Sequence, residues 1–310
     1  MSLAHKQKAH QQKYFALAAL IYGAISWGVI WYPYRLLNDS GISGVQSSFL
    51  SYWLALLIGG IIFWRRYPHI SKVPKSAYWL SLVAGWTNLA YVLAVIDGEV
   101  MRVMLLFYLS PLWTLLLAKI WLHERWHKPQ LLAIALSLLG ADLMLTDGQF
   151  AWPWPQSSSD WLALSAGIGF SITNVITRFS THLTIAAKGM LVWLGVFGLS
   201  LLVLLWQDGL SGLAFASSLT SRTMVLMLLI AFMLISATLL VQYGITKTPA
   251  IQASVLFMFE LIVAAVAAYF LAQESMSLIE MVGGFCIVAA GLLSVYYSES
   301  SEVSEKSSAR

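Results

Sequence analysis

Cysteine and charged residues are scarce in this 310-residue chain, and each scarcity narrows the possibilities. The single cysteine, Cys286, excludes an intrachain disulfide and a cysteine-based metal cluster. Only 10% of the residues are charged, against roughly a quarter in soluble domains, whereas 59% are hydrophobic. This composition argues against a water-soluble fold, and a net charge of +4 is too small to indicate a nucleic-acid partner.

Long apolar runs fill most of the chain, and a membrane-spanning helix needs about 20 apolar residues. Fourteen Trp and thirteen Tyr suit aromatic belts at the two membrane interfaces. We therefore predict an all-α integral membrane protein with ten transmembrane helices. Their predicted ranges are 14–34, 46–64, 77–96, 101–121, 129–146, 160–179, 189–206, 223–243, 251–271 and 279–297.

The basic residues are sorted between the predicted loops. With the N-terminus inside, only Arg35, Arg102 and Arg222 of the eighteen Lys and Arg residues fall on the outer side. Cytoplasmic loops are enriched in Lys and Arg, so this bias predicts that both termini are cytoplasmic. The expected location is the cell (inner) membrane, crossed several times.

One long segment occurs twice, since Arg102–Glu124 returns about 150 residues later as Gln252–Glu274. In this register Leu106-Phe107 falls on Leu256-Phe257, Ser110 on Glu260, and Glu124 on Glu274. Pro111 is predicted to break the first copy, and the carboxyl of Glu260 to interrupt the second.

Five spans per half is an odd number, so the second half must cross the membrane in the opposite sense. The fold prediction is thus an inverted 5+5 repeat, a plan used by secondary transporters. The predicted segments are a cytoplasmic tail at 1–13, a first five-helix repeat at 14–146, an external linker at 147–159, a second repeat at 160–297 and a disordered cytoplasmic tail at 298–310.

Glu260 is the strongest candidate for a functional residue. At 1.5 Å per residue it lies about 13 Å into its helix, near the membrane midplane. An ionisable group at that depth costs at least about 2.5 kcal/mol, so it is usually functional or paired. Loss of solvation favours the protonated form, which makes Glu260 a candidate proton carrier. A carboxyl hydrogen-bonded across helices for stability alone is the alternative.

Other polar and aromatic residues are predicted at a similar depth. They could line one cavity with Glu260, or each could serve as an interhelical contact. Pro111 either opens the helix towards a cavity or only kinks it for packing. Arg102 is a candidate for an outer gate, with anchoring in lipid headgroups as the alternative. The predicted cavity residues besides Glu260 are Trp27, Asn88, Tyr91, Tyr108, Ser110, Pro111, Asn174, Gln242, Tyr243 and Phe257.

One motif suggests metal chemistry. The run from His123 to His127 matches HExxH, which on a helix places two histidines around zinc with the glutamate as base. Here it lies at a helix end just before Pro129, and its repeat mate keeps the glutamate, as Glu274, but not the histidines. We therefore expect neither a metal site nor a cofactor, and Glu124 is expected to cap or pack a turn.

The paired blocks resemble the drug/metabolite transporter superfamily, in its EamA-type branch. The family pattern is a helix with a Leu-x-Pro or Leu-Glu-Pro centre, then Gly-Glu-Arg-like residues, then a closing helix with glycine. In the first half the pattern reads Leu109-Ser110-Pro111, His123-Glu124-Arg125 and Leu139-Gly140, and in the second Phe259-Glu260-Leu261, Gln273-Glu274-Ser275 and Ala290-Gly291. Leu261 departs from the family's proline, and His123 and Gln273 replace its glycine.

The resemblance implies two EamA-like domains in an inverted 5+5 repeat, as in bacterial inner-membrane metabolite exporters. It also implies a cavity lined by predicted helices 1, 3, 4, 6, 8 and 9, a small-molecule substrate and no enzymatic activity. Protons are a candidate coupling ion, and a homodimer stays open. An intramembrane enzyme acting at His123 and His127, or a membrane sensor without transport, are the alternatives.

Overall fold

The computed structural model describes residues 3–63, 74–98, 100–124, 127–146, 154–213, 219–271, 273 and 277–308. Within these ranges, side chains are described except at residues 3–10, 95–97, 100–102 and 298–308. All regular secondary structure in the described ranges is helical, as the long apolar runs predict. In a bilayer a helix satisfies its own backbone hydrogen bonds, which is why such runs adopt it.

Twelve α-helices are found in the described residues. In two places, a pair of successive helices forms the two halves of one broken span. The first six are α1 (Leu3–Asp39), α2 (Gly44–Phe63), α3 (Lys75–Asp97), α4 (Val100–Phe107), α5 (Ser110–Trp121) and α6 (Lys128–Thr146). The second six are α7 (Ser158–Phe179), α8 (Ile185–Asp208), α9 (Ser221–Lys247), α10 (Ala250–Phe257), α11 (Phe259–Leu271) and α12 (Leu278–Ser308).

Nine segments of the described chain have the length and hydropathy of a membrane span, if α4–α5 and α10–α11 each count as one. The tenth predicted span is α3, which is a helix of 23 residues. The prediction of a multi-pass, all-helical membrane protein is confirmed.

Both ends of the chain are more helical than predicted. α1 already begins at Leu3, within the segment assigned to a tail. α12 continues to Ser308, where the sequence predicted disorder from Ser298 onwards. Lys, Gln and Glu are good helix formers, so a helix started by an apolar span can extend into these polar residues.

The two breaks lie at equivalent positions of the repeat, but not where the sequence placed them. Tyr108 and Leu109 separate α4 from α5, and Met258 separates α10 from α11. Pro111 and Glu260 instead lie in the first turn of the helix that follows each break. Proline is tolerated there because its missing N–H would have no helical partner, and a carboxylate is favoured by the positive end of the helix dipole.

Glycines allow a close helix contact between α6 and α12. A Cβ added to Gly140 would lie 2.5 Å from the carbonyl oxygen of Gly283, and one added to Gly283 would lie 2.6 Å from that of Gly140. The other glycines on this helix, Gly284 and Gly291, face Ile262 and Phe259. These glycines of α12 are therefore packed within the chain.

Candidate functional site

The two breaks meet at the side chains of Tyr108 and Glu260. Tyr108 lies in the turn between α4 and α5, is 4% exposed, and interacts electrostatically with the carboxyl of Glu260. Glu260 is only half-buried and lies at the start of α11. Tyr91 on α3 interacts electrostatically with the same carboxyl. Three predicted cavity residues are therefore brought together at one point.

A row of aromatic rings extends from this point across four helices. The ring centroids of Tyr91 and Phe107 are 4.9 Å apart, those of Phe107 and Phe170 5.6 Å, and those of Phe170 and Phe257 5.3 Å. The row connects α3, α4, α7 and α10. Phe107 and Phe170 were not predicted as site residues, although Phe107 aligns with the predicted Phe257 in the repeat.

One face of α7 covers the break in the first half. A Cβ added to Gly167 would lie 2.7 Å from the carbonyl oxygen of Phe107, the oxygen that Pro111 deprives of a helical donor. One turn further along α7, Ser171 donates its hydroxyl to the carbonyl oxygens of Ser110, at 2.8 Å, and of Gly167, at 3.0 Å. The freed backbone is thus packed against protein, as a broken helix at membrane depth requires.

Carboxamide side chains on α3, α7, α9 and α10 are buried or partly buried. Asn174 and Gln242 are 1% and 3% exposed, and the Asn174 Nδ2 and Gln242 Oε1 atoms have no hydrogen-bond partner among the described residues. Asn88 donates from Nδ2 to the Tyr52 hydroxyl at 3.3 Å. Gln252 on α10, which was not predicted, is 1% exposed and lacks such a partner at both amide atoms. Buried polar groups of this kind call for water or a polar solute.

Besides the carboxamides, Trp27 and Tyr243 are predicted site residues that no described contact brings to the Tyr108–Glu260 pair. Trp27 packs against the apolar cluster between α1, α2, α8 and α9. The Tyr243 ring contacts Phe15, which is 54% exposed, with 5.2 Å between the centroids. The side chain of Arg102, the outer-gate candidate, lies outside the described part of the structure.

The HExxH run lacks the helical geometry that zinc binding needs. α5 ends at Trp121, His123 has a φ of 53°, and His127 precedes the start of α6. The two histidines therefore do not lie on one helical face. Glu124 instead accepts a hydrogen bond at 3.0 Å from the backbone N–H of Ala250, at the start of α10. Within the described residues, no group of three His, Cys, Asp or Glu side chains could hold a metal ion.

The fold and this site together define a class: a multi-pass helical membrane protein with two broken spans meeting at a half-buried carboxyl. Residues 14–146 match the model of the EamA-like transporter family. The resemblance seen in the sequence is thereby confirmed.

Two curated relatives show a weaker similarity. The chain is 27% identical over 118 residues to Protein RarD of Salmonella typhi and to Protein RarD of Salmonella typhimurium. The matched region spans 37% of this chain and 37% of each relative. A crystal structure of a protein at 13% identity covers 93% of this chain and is covered over 99% of its own length, with a TM-score of 0.74. This last similarity shows a shared fold.

Proposed function

We propose that the chain is a secondary transporter that exports a small metabolite by alternating access, with Glu260 binding the solute or the coupling proton. The observation that carries the proposal is the interaction of Tyr108 with Glu260 where the two broken spans meet. A transporter needs a polar site near the midplane at the interface of its repeats, and broken helices commonly form it.

The pattern of helix packing supports an inverted 5+5 repeat. If the first five spans are exchanged with the last five, the contacts of α1 with α9, α10 and α11 become those of α7 with α3, α4 and α5, all of which occur. The contact of α2 with α9 likewise becomes that of α8 with α3. Two halves with this relation and an odd number of spans can rock against each other around one central site.

The distribution of basic residues supports the orientation. Both termini are proposed to be cytoplasmic and the membrane to be the inner one, since only Arg35, Arg102 and Arg222 then face outside. The second half, residues 160–297, is proposed to be a second EamA-like domain.

The aromatic row and the buried carboxamides support an amphipathic solute, such as an amino acid or a derivative of one. The aromatic row offers apolar faces, and the buried carboxamides of Asn174, Gln242 and Gln252 offer both donors and acceptors. The only acid among these groups is Glu260, which suits the ammonium group of such a solute or a coupled proton.

Flux into or out of proteoliposomes under an imposed pH gradient tests the proposal. A pooled mixture of amino acids and metabolites is read by mass spectrometry for the wild type and for Glu260→Gln. Asp39→Asn is the matched control, because Asp39 is an exposed acid at the end of α1. We expect transport of some solutes by the wild type and by Asp39→Asn, and a loss of at least about tenfold in Glu260→Gln.

Three results would contradict the proposal or parts of it. Equal flux in Glu260→Gln and wild type would remove Glu260 from the mechanism while leaving transport in place. Flux that ignores the pH gradient would remove proton coupling. A folded wild type that moves no member of a broad solute pool would favour the sensor alternative.

A further inference from the structure

A cluster of charged groups joins three helix ends at one end of the molecule. Glu124 Oε1, which accepts from the N–H of Ala250 at the start of α10, also lies 3.4 Å from Arg178 Nε. Arg178 belongs to the last turn of α7 and donates from Nη1 to the carbonyl oxygen of Thr246 at 3.1 Å. The carboxylate thus lies on a helix N-terminus and the guanidinium on a helix C-terminus, as the helix dipoles favour.

Lys188 completes the cluster from α8. Its ammonium donates to the Thr177 carbonyl oxygen at 2.6 Å and to Thr246 Oγ1 at 2.8 Å. Lys188 is 0% exposed, and Lys is almost never so buried unless it is paired. Carbonyls in the last turn of a helix lack intrahelical donors, so this ammonium satisfies the end of α7 and is held by the end of α9.

Buried residues of α7, α9 and α10 lie close to this cluster in the chain. All eight residues of α10 are buried, and so are Asn174 and Gln242. In α4, the repeat equivalent of α10, only Val103 and Leu106 are buried among the described side chains at 103–107. Separation of α7, α9 and α10 would open a route from the cluster's end towards the Glu260 site, and it would break the contacts of Glu124, Arg178 and Lys188.

We propose that Glu124, Arg178 and Lys188 form a latch that holds this end of the transporter closed and opens in the alternate state. The inference rests on the proposed function, in whose orientation this is the cytoplasmic end. The latch residues position the helices and do not contact the solute. Because Arg178 and Lys188 bind backbone carbonyls or side chains at the ends of α7 and α9, removing one charge loosens more than one helix.

Thiol labelling tests the latch directly. The single cysteine is removed by Cys286→Ser, and Gln252→Cys places a reporter in α10 behind the latch. Inside-out membrane vesicles are treated with a membrane-impermeant maleimide. We expect slow labelling of the reporter alone, and labelling at least about tenfold faster when Glu124→Gln, Arg178→Gln or Lys188→Gln is added.

Two further variants keep the test decisive. Lys128→Gln removes an exposed cation at the start of α6, at the same end, and should leave the labelling rate unchanged. Arg178→Lys keeps the charge but loses the geometry that reaches both Glu124 and Thr246, so an intermediate rate is expected. Size-exclusion profiles show whether each variant is folded. If Lys188→Gln does not fold, the labelling rate of Arg178→Lys decides the test.

Labelling of all latch variants at the rate of the reporter alone would overturn the latch. Faster labelling in Lys128→Gln as well would overturn it too, because any lost cation would then have the same effect. Flux is measured separately, without the reporter. If the wild type shows flux but the latch variants are labelled at an unchanged rate, only the latch is refuted. If the latch variants are labelled faster but the wild type shows no flux, only transport is refuted.

Discussion

A carboxyl near the middle of a membrane span needs a stabilising environment, and Glu260 has two contributions to it. The Tyr108 side chain interacts with it, and it lies in the first turn of α11, where the positive end of the helix dipole favours a carboxylate. Neither contribution is a full counter-charge. The carboxyl therefore keeps the capacity to exchange a proton or to bind a cationic group, which a salt bridge would occupy.

Gly167 gives the sharpest stability prediction for a single residue. In Gly167→Ala the new methyl group would lie 2.7 Å from the backbone oxygen of Phe107, which no side-chain rotation can relieve. We expect a destabilisation of about 1–3 kcal/mol, the usual cost of overpacking. The midpoint of thermal unfolding in detergent measures it.

The matched control is Gly60→Ala, since Gly60 is also within a helix but an added Cβ would find nothing within 4 Å. That variant should unfold at the wild-type temperature or slightly above it, because alanine favours the helix by about 0.5–1 kcal/mol. A loss of stability in both variants would mean that the contact with Phe107 is not the cause.

At the level of helices, the two halves end their fourth span in the same strained way. His123 and Gln273, which replace the family's glycine, have φ values of 53° and 59°. Each follows the end of a helix by two residues, where a left-handed conformation commonly terminates the helix. A residue with a Cβ is strained there by roughly 1 kcal/mol relative to glycine.

We expect His123→Gly and Gln273→Gly each to stabilise the protein by about 1 kcal/mol, because glycine adopts positive φ without that strain. Differential scanning fluorimetry of the purified variants measures the shift. His127→Gly is the control in the same loop, at a position without positive φ, and should give no gain. A gain of equal size in His127→Gly would attribute the effect to the loop in general.

For the whole molecule, the proposed orientation predicts on which side of the membrane the linker between the halves and the C-terminal end lie. Alkaline phosphatase fused within the linker 147–159 should be active, because the enzyme folds only outside the inner membrane. The same enzyme fused after Ser308 should be inactive, and a fluorescent protein fused there should fluoresce. The reverse pattern would invert the orientation, and activity at both points would contradict five spans in the second half.

The apolar runs were enough to predict the spans, since a stretch of about 20 apolar residues has one stable state in a bilayer, the helix. The duplicated block was also visible, because Phe107 and Phe257 recur at a constant separation. The breaks were placed slightly too far along the chain. Pro111 and Glu260 mark the start of the helix after each break, whereas the sequence interpretation put the interruption on the residues themselves.

The site was only partly predictable from the residues. Glu260, Tyr108, Tyr91 and Phe257 were expected to share a cavity, and the first three meet at the two breaks while Phe257 joins the aromatic row. Nothing in the sequence distinguished Tyr91 and Tyr108 from Tyr243, because all three tyrosines lie in apolar spans. In the structure Tyr243 instead contacts Phe15.

By itself, the sequence determined the helical membrane class, the positions of the spans, the duplicated block and the family resemblance, because each depends on residues near one another or on a constant separation. Only the tertiary structure decided which side chains meet. Phe170 reaches Phe107, and Lys188 reaches Thr246, through the packing of helices that are far apart in the chain. The rotation of each helix against its neighbours sets such contacts, and close approaches such as that of Gly167 to Phe107 fix that rotation.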